Sequence, residues 1–333
     1  MIFLTGATGL VGNFLARALL QNGYKVTALK RVNSDLSLLN DIAGQITWIE
    51  GDILDMPFLL SSLKNIDTVI HSAALVSYLP KHKNLLYKIN VEGTSNVVNA
   101  SIENGVKNFL HISSIAALGK EKKQEVVTED IPYTDSPSAT NYSRSKYLAE
   151  LEVFRGGEEG LNTCVVNPSI ILGPGDWNKG SSQLFRYVWE KGSFYSSGKM
   201  NFIDVRDVCD IVLQLLPQTG KLNGEKFILN AGQTTYECFF AEIAQRFQVR
   251  KPSYEAGHFL KSIAWRVEAL KSMITGKDPL ITRETSMVGK YNYYYDSSKL
   301  TTLLQFRFRP LSDTLDWTCD ELLKKYTTAG KLK

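Results

Sequence analysis

Thr5-Gly6-Ala7-Thr8-Gly9-Leu10-Val11-Gly12 follows the apolar run Ile2-Phe3-Leu4 and opens a helical pattern, and no other stretch constrains the fold so strongly. Three glycines at this spacing allow a tight turn. They also let backbone N–H groups approach a pyrophosphate at the positive end of a helix. A strand before the turn and a helix after it make the glycine pattern credible. The helix is predicted over 9–22, with Leu10, Phe14, Leu15, Ala18 and Leu19 as its apolar stripe and Asn22-Gly23 as its stop. The same alternation continues. Strands are predicted over 2–5, 24–30, 46–50, 67–73, 108–113 and 162–167, and long helices over 84–104 and 141–155. Alternation of this kind builds an α/β fold, a doubly wound parallel sheet with helices on both faces.

After Pro168 the pattern loosens into Gly-, Asn- and Tyr-rich segments with helices predicted over 183–191 and 236–248. This half reads as a smaller C-terminal lobe grafted onto the sheet. Residues 1–170 plus about 202–230 are assigned to the cofactor domain, and about 171–201 with 231–325 to a substrate-binding lobe. The chain has 333 residues, enough for one large domain or two smaller ones. Its net charge of +4 comes from dispersed Lys and Arg, and the run Lys120 to Lys123 is broken by Glu121. That reads as a solvated loop, so no nucleic-acid partner is expected. Cys164, Cys209, Cys238 and Cys319 are far apart and form no C-x-x-C, which fits a reducing cytoplasm without disulfides or zinc. The four histidines form no ligand cluster, so no metal is expected. The first strand begins at Ile2, so no leader is expected before it. No run of about 18 apolar residues is present, so no membrane span is expected.

Tyr142 and Lys146 stand four apart in the predicted 141–155 helix, so a phenol and an ammonium share one face. An ammonium beside a phenol favours the phenolate and lowers its pKa toward working pH. Ser113 and Ser114 close the strand before it, and the Ser114 hydroxyl is placed to polarise a carbonyl or hold an alcohol. The pair alone is weak evidence. The ordered set of glycine loop, serine pair, tyrosine and lysine is strong.

The second strand ends in Ala28-Leu29-Lys30-Arg31, where an NAD-binding fold places an acid for the adenosine ribose. Two cations suit a 2′-phosphate, which favours NADP(H) over NAD(H). Lys30 and Arg31 are not ranked, each having a solvent-facing alternative, and Asp35 a few residues later keeps NAD(H) open. Asp52, with the Ile53 backbone beside it, is a candidate for the adenine amino group or for a helix cap. Ser72-Ala73-Ala74 offers small residues where a ribose must pass closely.

Together with His71-Ser72-Ala73-Ala74, Asn90-Val91-x-Gly93-Thr94, Asn167-Pro168, Gly173-Pro174-Gly175-Asp176 and Phe202-Ile203-Asp204-Val205-x-Asp207-Val208, these motifs give a family resemblance. The chain resembles an extended short-chain dehydrogenase/reductase of the NAD-dependent epimerase/dehydratase superfamily, from Ile2 to about Trp317. The resemblance implies a Rossmann-type sheet and roles for matching residues. Tyr142 is the implied acid/base. Lys146 holds the nicotinamide ribose and tunes Tyr142, and Ser114, with Ser113 as understudy, bonds the reacting oxygen. Asn90 positions the fifth strand or a relay water. Asn167, Pro168, Ser169 and Ile170 line the nicotinamide. Asn90 and Asn167 also read as ordinary helix or turn residues. A homodimer through the 84–104 and 141–155 helices is implied as well.

The segments Tyr291 to Leu300 and Pro279 to Thr282 resemble the branch of dihydroflavonol-4-reductases and 3β-hydroxysteroid dehydrogenases. Dehydratases of the family carry an acidic pair where this chain has Ile115 and Ala116. The favoured reading is an NADP(H)-dependent oxidoreductase that reduces a ketone or aldehyde, or oxidises the alcohol. The alternatives are a nucleotide-sugar epimerase with tightly bound NAD and a non-catalytic dinucleotide-sensing protein. Expected substrate contacts are Ala74 to Tyr78, Ala116 to Lys120, Trp177, Phe185, Trp189, Met200 and a helix over 259–274. They are mostly apolar and suit a small carbonyl compound; Arg186, Arg206 and Arg283 keep a sugar diphosphate open. The 259–274 stripe reads as a lid, with a membrane-contacting surface as the alternative.

Overall fold

The computed structural model describes residues 1–120, 125–135, 139–256 and 292–328. The 259–274 stripe, the 279–282 segment and Arg283 lie outside them. In chain order the strands are β1 (Ile2–Thr5), β2 (Val26–Lys30), β3 (Thr47–Glu50), β4 (Thr68–His71), β5 (Asn108–Ile112), β6 (Val126–Val127) and β7 (Asn162–Pro168). They continue as β8 (Ile170–Leu172), β9 (Phe194–Ser196), β10 (Lys199–Asp204), β11 (Glu225–Leu229), β12 (Gly232–Thr235), β13 (Tyr254–Ala256) and β14 (Tyr294–Tyr295). The helices are α1 (Leu10–Gln21), α2 (Met56–Ser62), α3 (Lys83–Leu86), α4 (Gly93–Glu103) and α5 (Asn141–Glu158). After them come α6 (Ser182–Trp189), α7 (Val205–Leu215), α8 (Tyr236–Phe247), α9 (Ser298–Leu304) and α10 (Leu311–Thr328).

Strands β11, β7, β5, β4, β1, β2 and β3 form one sheet in that order, every pair parallel. Alternate residues feed opposite faces, as strand geometry requires. Ile2, Leu4, Leu110 and Ile112 pack with Leu15 and Leu19 of α1 and with Val208, Ile211 and Val212 of α7. Phe3, Val69, Phe109 and Val165 pack on the other face, with Leu59 of α2, Val97 and Val98 of α4 and Val153 of α5. The doubly wound Rossmann-type sheet is therefore as expected. The chain order reverses between β1 and β4, and the cleft above such a switch point is where this architecture takes ligands.

Two helices differ from expectation. The predicted 84–104 helix is broken by a π-helical turn over Tyr87–Glu92, between α3 and α4. Such turns recur at functional sites because they rotate one side chain out of register; here that side chain is Asn90. Helix α5 does not stop at Arg155 but runs through Gly156 and Gly157 to Glu158. A glycine inside a helix costs about 0.5–1 kcal/mol. A Cβ at Gly156 would sit 2.6 Å from Val98 Cγ1, and overpacking of that kind costs about 1–3 kcal/mol, so glycine is the better choice there.

The C-terminal lobe is built around a three-stranded sheet, β12-β10-β8, with β10 parallel to β8 and antiparallel to β12. Its core is aromatic: Trp177, Phe185, Phe239, Phe240, Phe247 and Tyr326 pack together with Met200. This corrects an expectation. Trp177, Phe185 and Met200 are buried in this core, and half-buried Trp189 packs against it. Aromatic spacing alone does not distinguish a pocket wall from a core. Among the described residues no helix is long and apolar enough to cross a membrane.

Candidate active site

Gly6 adopts φ +72°, a left-handed value that disfavours side chains. A Cβ there would lie 2.6 Å from the Ser72 carbonyl carbon, so the turn rests directly on the tip of β4. A Cβ at Gly12 would collide with the Gly6 carbonyl oxygen. Gly9 is different. Its Cβ would meet only Gly6 O at 3.3 Å, leaving open space over the start of α1. Gly9 caps α1 with no side-chain hydrogen bond, and the first turn holds no acid. The N–H groups of the first turn thus face a cleft with the positive end of the helix behind them. Thr8, Leu10 and Val11 are half-buried around it. A cradle that a Cβ would fill, over an uncapped helix start, fits a pyrophosphate.

At the far end of this cleft the two cations part company. Lys30 donates to Glu50 Oε2 at 2.5 Å, across the β2–β3 register, so it is engaged and does not stand free for a phosphate. Arg31 is exposed and has no ion-pair partner among the described residues. Its backbone N–H donates to Ser34 Oγ at 3.0 Å, which brings that hydroxyl beside it. Asp35 accepts from Ser37 N–H and Oγ, and these bonds lower its pKa. Asp52 accepts from Leu54 N–H at 3.0 Å, whereas the cap of α2 is Asp55. Ile53 is buried, and its carbonyl is taken by Asn96 Nδ2 at 3.2 Å.

The reacting end gathers on β5 and α5. Ser114 follows β5 and caps the short turn after it, its Oγ accepting from Ala116 N–H at 3.1 Å. Its hydroxyl lies close enough to the Tyr142 phenol to act on it. Burial pushes that phenol's pKa up, and the Ser114 hydroxyl pulls it part of the way back. Tyr78 stands edge-on to Tyr142 with ring centroids 5.7 Å apart. Lys146 is buried one turn below, and burial pushes its pKa down to about 8. Its Nζ donates to the Ile112 carbonyl at 3.1 Å and contacts His111 Nε2 at 3.2 Å. This refines the expectation that Lys146 lowers the pKa of Tyr142. In this structure the ammonium is held by β5, and the group that lowers Tyr142 is Ser114.

Buried polar groups tie the two ends together, and of these the sequence analysis gave a role only to Asn90. Thr5 Oγ1 accepts from Ser72 N–H at 3.2 Å and from Ala73 N–H at 3.1 Å. Its own proton therefore goes to His71 Nδ1 at 2.7 Å, and His71 Nε2–H donates to Thr94 Oγ1 at 3.0 Å. Thr94 donates in turn to the Asn90 carbonyl at 2.6 Å. The Asn90 side chain bonds both backbone groups of Leu75 and the Ser145 hydroxyl, which donates to the Tyr142 carbonyl. Asn90 thus fixes the loop after β4 to α5. Both N–H groups of its amide are engaged, and the oxygen accepts one bond, from Leu75 N–H.

Ser113 turns away from the cleft and donates to Glu150 at 2.5 Å, which leaves Ser114 as the serine beside Tyr142. Asn167 Nδ2 donates to the Ser114 carbonyl and to Glu150 Oε1, while Asn167 Oδ1 and Ser169 Oγ are buried without a partner among the described residues. Pro168 ends β7 beside them and Ile170 opens β8 half-buried. Ala73 and Ala74 follow β4, Ala74 exposed to the cleft side. Orphaned acceptors and hydroxyls at the strand tips are consistent with a polar ligand group there. Among the described residues no group of His, Cys, Asp and Glu is arranged to hold a metal.

Residues 2–232 match the model of the NAD dependent epimerase/dehydratase family. The chain belongs to this family. It is thereby one of the extended short-chain dehydrogenases/reductases, as its motifs indicated. Family members of similar sequence include a Synechocystis protein that carries the name of a dihydroflavonol 4-reductase, 28% identical over 89% of this chain and 87% of its own length. A 3-beta-hydroxysteroid dehydrogenase of Mycolicibacterium neoaurum is 31% identical over 57% of this chain and 51% of its own. Among solved structures, gox2253 superposes with TM-score 0.83 at 29% identity, covering 100% of this chain and 99% of the other.

Proposed function

We propose that this family member is an NADP(H)-dependent oxidoreductase that reduces a ketone or aldehyde, or oxidises the corresponding alcohol, with Tyr142 as acid/base. The observation that carries this reading is the Ser114–Tyr142 hydroxyl pair at the tip of β5, with Lys146 buried below and no carboxylate at Ile115 or Ala116. A bound nicotinamide dinucleotide would supply the hydride. The residues of the Gly6–Gly12 turn would hold its pyrophosphate, and Arg31 with Ser34 would hold a 2′-phosphate. Ser114 Oγ then orients the substrate oxygen, and Tyr142 Oη delivers the proton. Burial keeps that proton on the phenol at neutral pH, as delivery to a nascent alkoxide requires. Asn167, Pro168, Ser169 and Ile170 line the nicotinamide end. The names of the two relatives, a reductase and a dehydrogenase, support this class of reaction.

The lobe around β8, β10 and β12 is assigned to the substrate. Two cations that a sugar diphosphate would need are already spent there: Arg186 pairs with Glu190, and Arg206 pairs with Asp204 while lying 3.9 Å over the Trp317 ring. A homodimer through residues 84–104 and 141–155 is part of the same reading, supported by exposed Leu85 and Tyr87 in the first and Leu151 in the second. A second reading, a nucleotide-sugar epimerase with tightly held NAD, is favoured by one feature. The Lys30–Glu50 pair removes a cation from the ribose end and leaves a carboxylate there.

Fluorescence titration of the purified protein with NADPH and NADH separates the two. Exchangeable NADPH binding with weaker NADH binding, followed by turnover in a carbonyl-compound screen, supports the reductase. Co-purified NAD, or a clear NADH preference, moves the weight to the epimerase.

A further inference from the structure

Glu150 lies one turn beyond Lys146 on α5 and two beyond Tyr142, on one face of the helix. It is only 2% exposed. Its Oε1 accepts from the Ser113 hydroxyl and from Asn167 Nδ2, each at 2.5 Å, and Asn167 passes the link on to the Ser114 carbonyl at 3.0 Å. One carboxylate thus clamps the tips of β5 and β7 against the helix that carries Tyr142.

Ser113 and Asn167 bring no charge, and a buried carboxylate without a cation is costly. Burial pushes the Glu150 pKa up, and the bonds from Ser113 and Asn167, then the charges of Lys226 of β11 and Lys146, pull it part of the way back. Around Lys146 stand the Ile112 carbonyl and His111 of β5, with His71 of β4 stacked behind at 5.3 Å, and Tyr142 on its own helix. Both imidazoles are neutral, because burial holds their pKa values far down. Among the described residues Glu150 is the one anion that raises the pKa of Lys146.

We propose that Glu150 is a positioning residue for the reaction above, the buried counter-charge that keeps Lys146 an ammonium beneath Tyr142. The inference rests on the reading of Tyr142 and Lys146 as the reacting pair, but its test needs no substrate. The full chain is labelled with [ε-13C]lysine, Lys146 is assigned with Lys146→Arg, and the titration is followed by NMR. Lys146 is expected to titrate at about 8 in the unaltered protein. Glu150→Gln keeps the shape and the acceptor oxygen but removes the charge. It lowers that midpoint by about one pH unit, a tenfold change. Glu150→Asp, which restores the charge, brings it back. A folded Glu150→Gln protein with an unmoved midpoint overturns the proposal, because a purely structural clamp would lose melting temperature and nothing else.

If Glu150→Gln does not fold, the reciprocal titration decides. With [δ-13C]glutamate the Glu150 midpoint rises in Lys146→Met; an unmoved midpoint again overturns the idea. A protein that shows the coupling yet reduces no carbonyl sinks the reaction reading and leaves Glu150 only as the counter-charge of Lys146.

Discussion

The two ends of the cleft are made of opposite materials. At the tip of β1 the cradle is backbone and missing side chains: Gly6, Gly9 and Gly12 leave room, and α1 offers N–H groups. At the tip of β5 the reacting end is side chains: Ser114, Tyr142, Lys146 and Glu150, most of them buried and hydrogen-bonded. The first end works by the atoms it lacks and the second by the side chains it holds. Binding and chemistry should therefore fail separately.

The largest effect tests the chemical end. Tyr142→Phe should lower turnover by about 10²–10⁴-fold, the usual worth of a positioned acid/base. Nucleotide affinity should stay within about twofold by fluorescence titration, since the phenol belongs to the reacting end. A variant with full turnover removes Tyr142 from the mechanism. A variant that loses nucleotide binding instead erases the contrast between the ends.

The next effect tests the cradle from inside. Gly12→Ala should destabilise the fold by about 2–3 kcal/mol in urea unfolding, because its Cβ strikes backbone that cannot yield. Gly9→Ala, whose Cβ meets only Gly6 O at 3.3 Å, should melt close to the unaltered protein and weaken nucleotide binding instead. Equal losses of stability would mean that the open side of Gly9 is not the phosphate side.

The buried link between the ends should show in acid. Burial, with the Lys146 ammonium second, pushes the His71 pKa from 6.5 down to about 3. Above the unfolded value neither state gains a proton there. Below it the unfolded chain takes one that the folded chain refuses, so stability is lost as pH falls from 6.5 toward 3. The slope is about 1.4 kcal/mol per pH unit for this group. Unfolding free energies at pH 6.5 and 5 should fall less steeply in His71→Gln; parallel curves would show that His71 is not held neutral.

The smallest effect concerns the ribose end. Glu50→Gln breaks a half-exposed ion pair and should change stability by less than about 1 kcal/mol. It should strengthen NADPH binding by about threefold relative to NADH, because a carboxylate no longer faces the 2′-phosphate. An unchanged ratio in paired titrations places the phosphate away from Lys30.

How much was legible follows the same division. The cradle is eight consecutive residues, and its strand, turn and helix can be read in order because the interactions are local. The parallel sheet was legible for the same reason, strand by strand, although β11 at its edge was not singled out. Tyr142 and Lys146 were legible because a helix fixes what lies four residues away. Glu150 continues that stripe by another four, and the signal was there to be used. His71 appeared only as a letter of a motif, and Asn90 was named without its partners. Their partners, Thr5, Thr94, Leu75 and Ser145, come from distant elements. The aromatic residues of the lobe were misassigned, because Trp177 and Phe185 give the same pattern in a core as in a pocket wall.

By itself the sequence determined the Rossmann-type sheet and the family, and it named the glycine turn and the Ser114–Tyr142–Lys146 set on which the proposed function rests. Each is written in short-range spacing that backbone geometry turns directly into position. Tertiary structure alone decided that Lys30 is committed to Glu50, that Asn90 braces α5, and that Ser113 faces Glu150 while Ser114 faces Tyr142. Those outcomes depend on which groups meet across strands and how deeply they are buried. Burial sets both the cost of a charge and the partner it must find, and neither is a property of neighbouring residues in the chain.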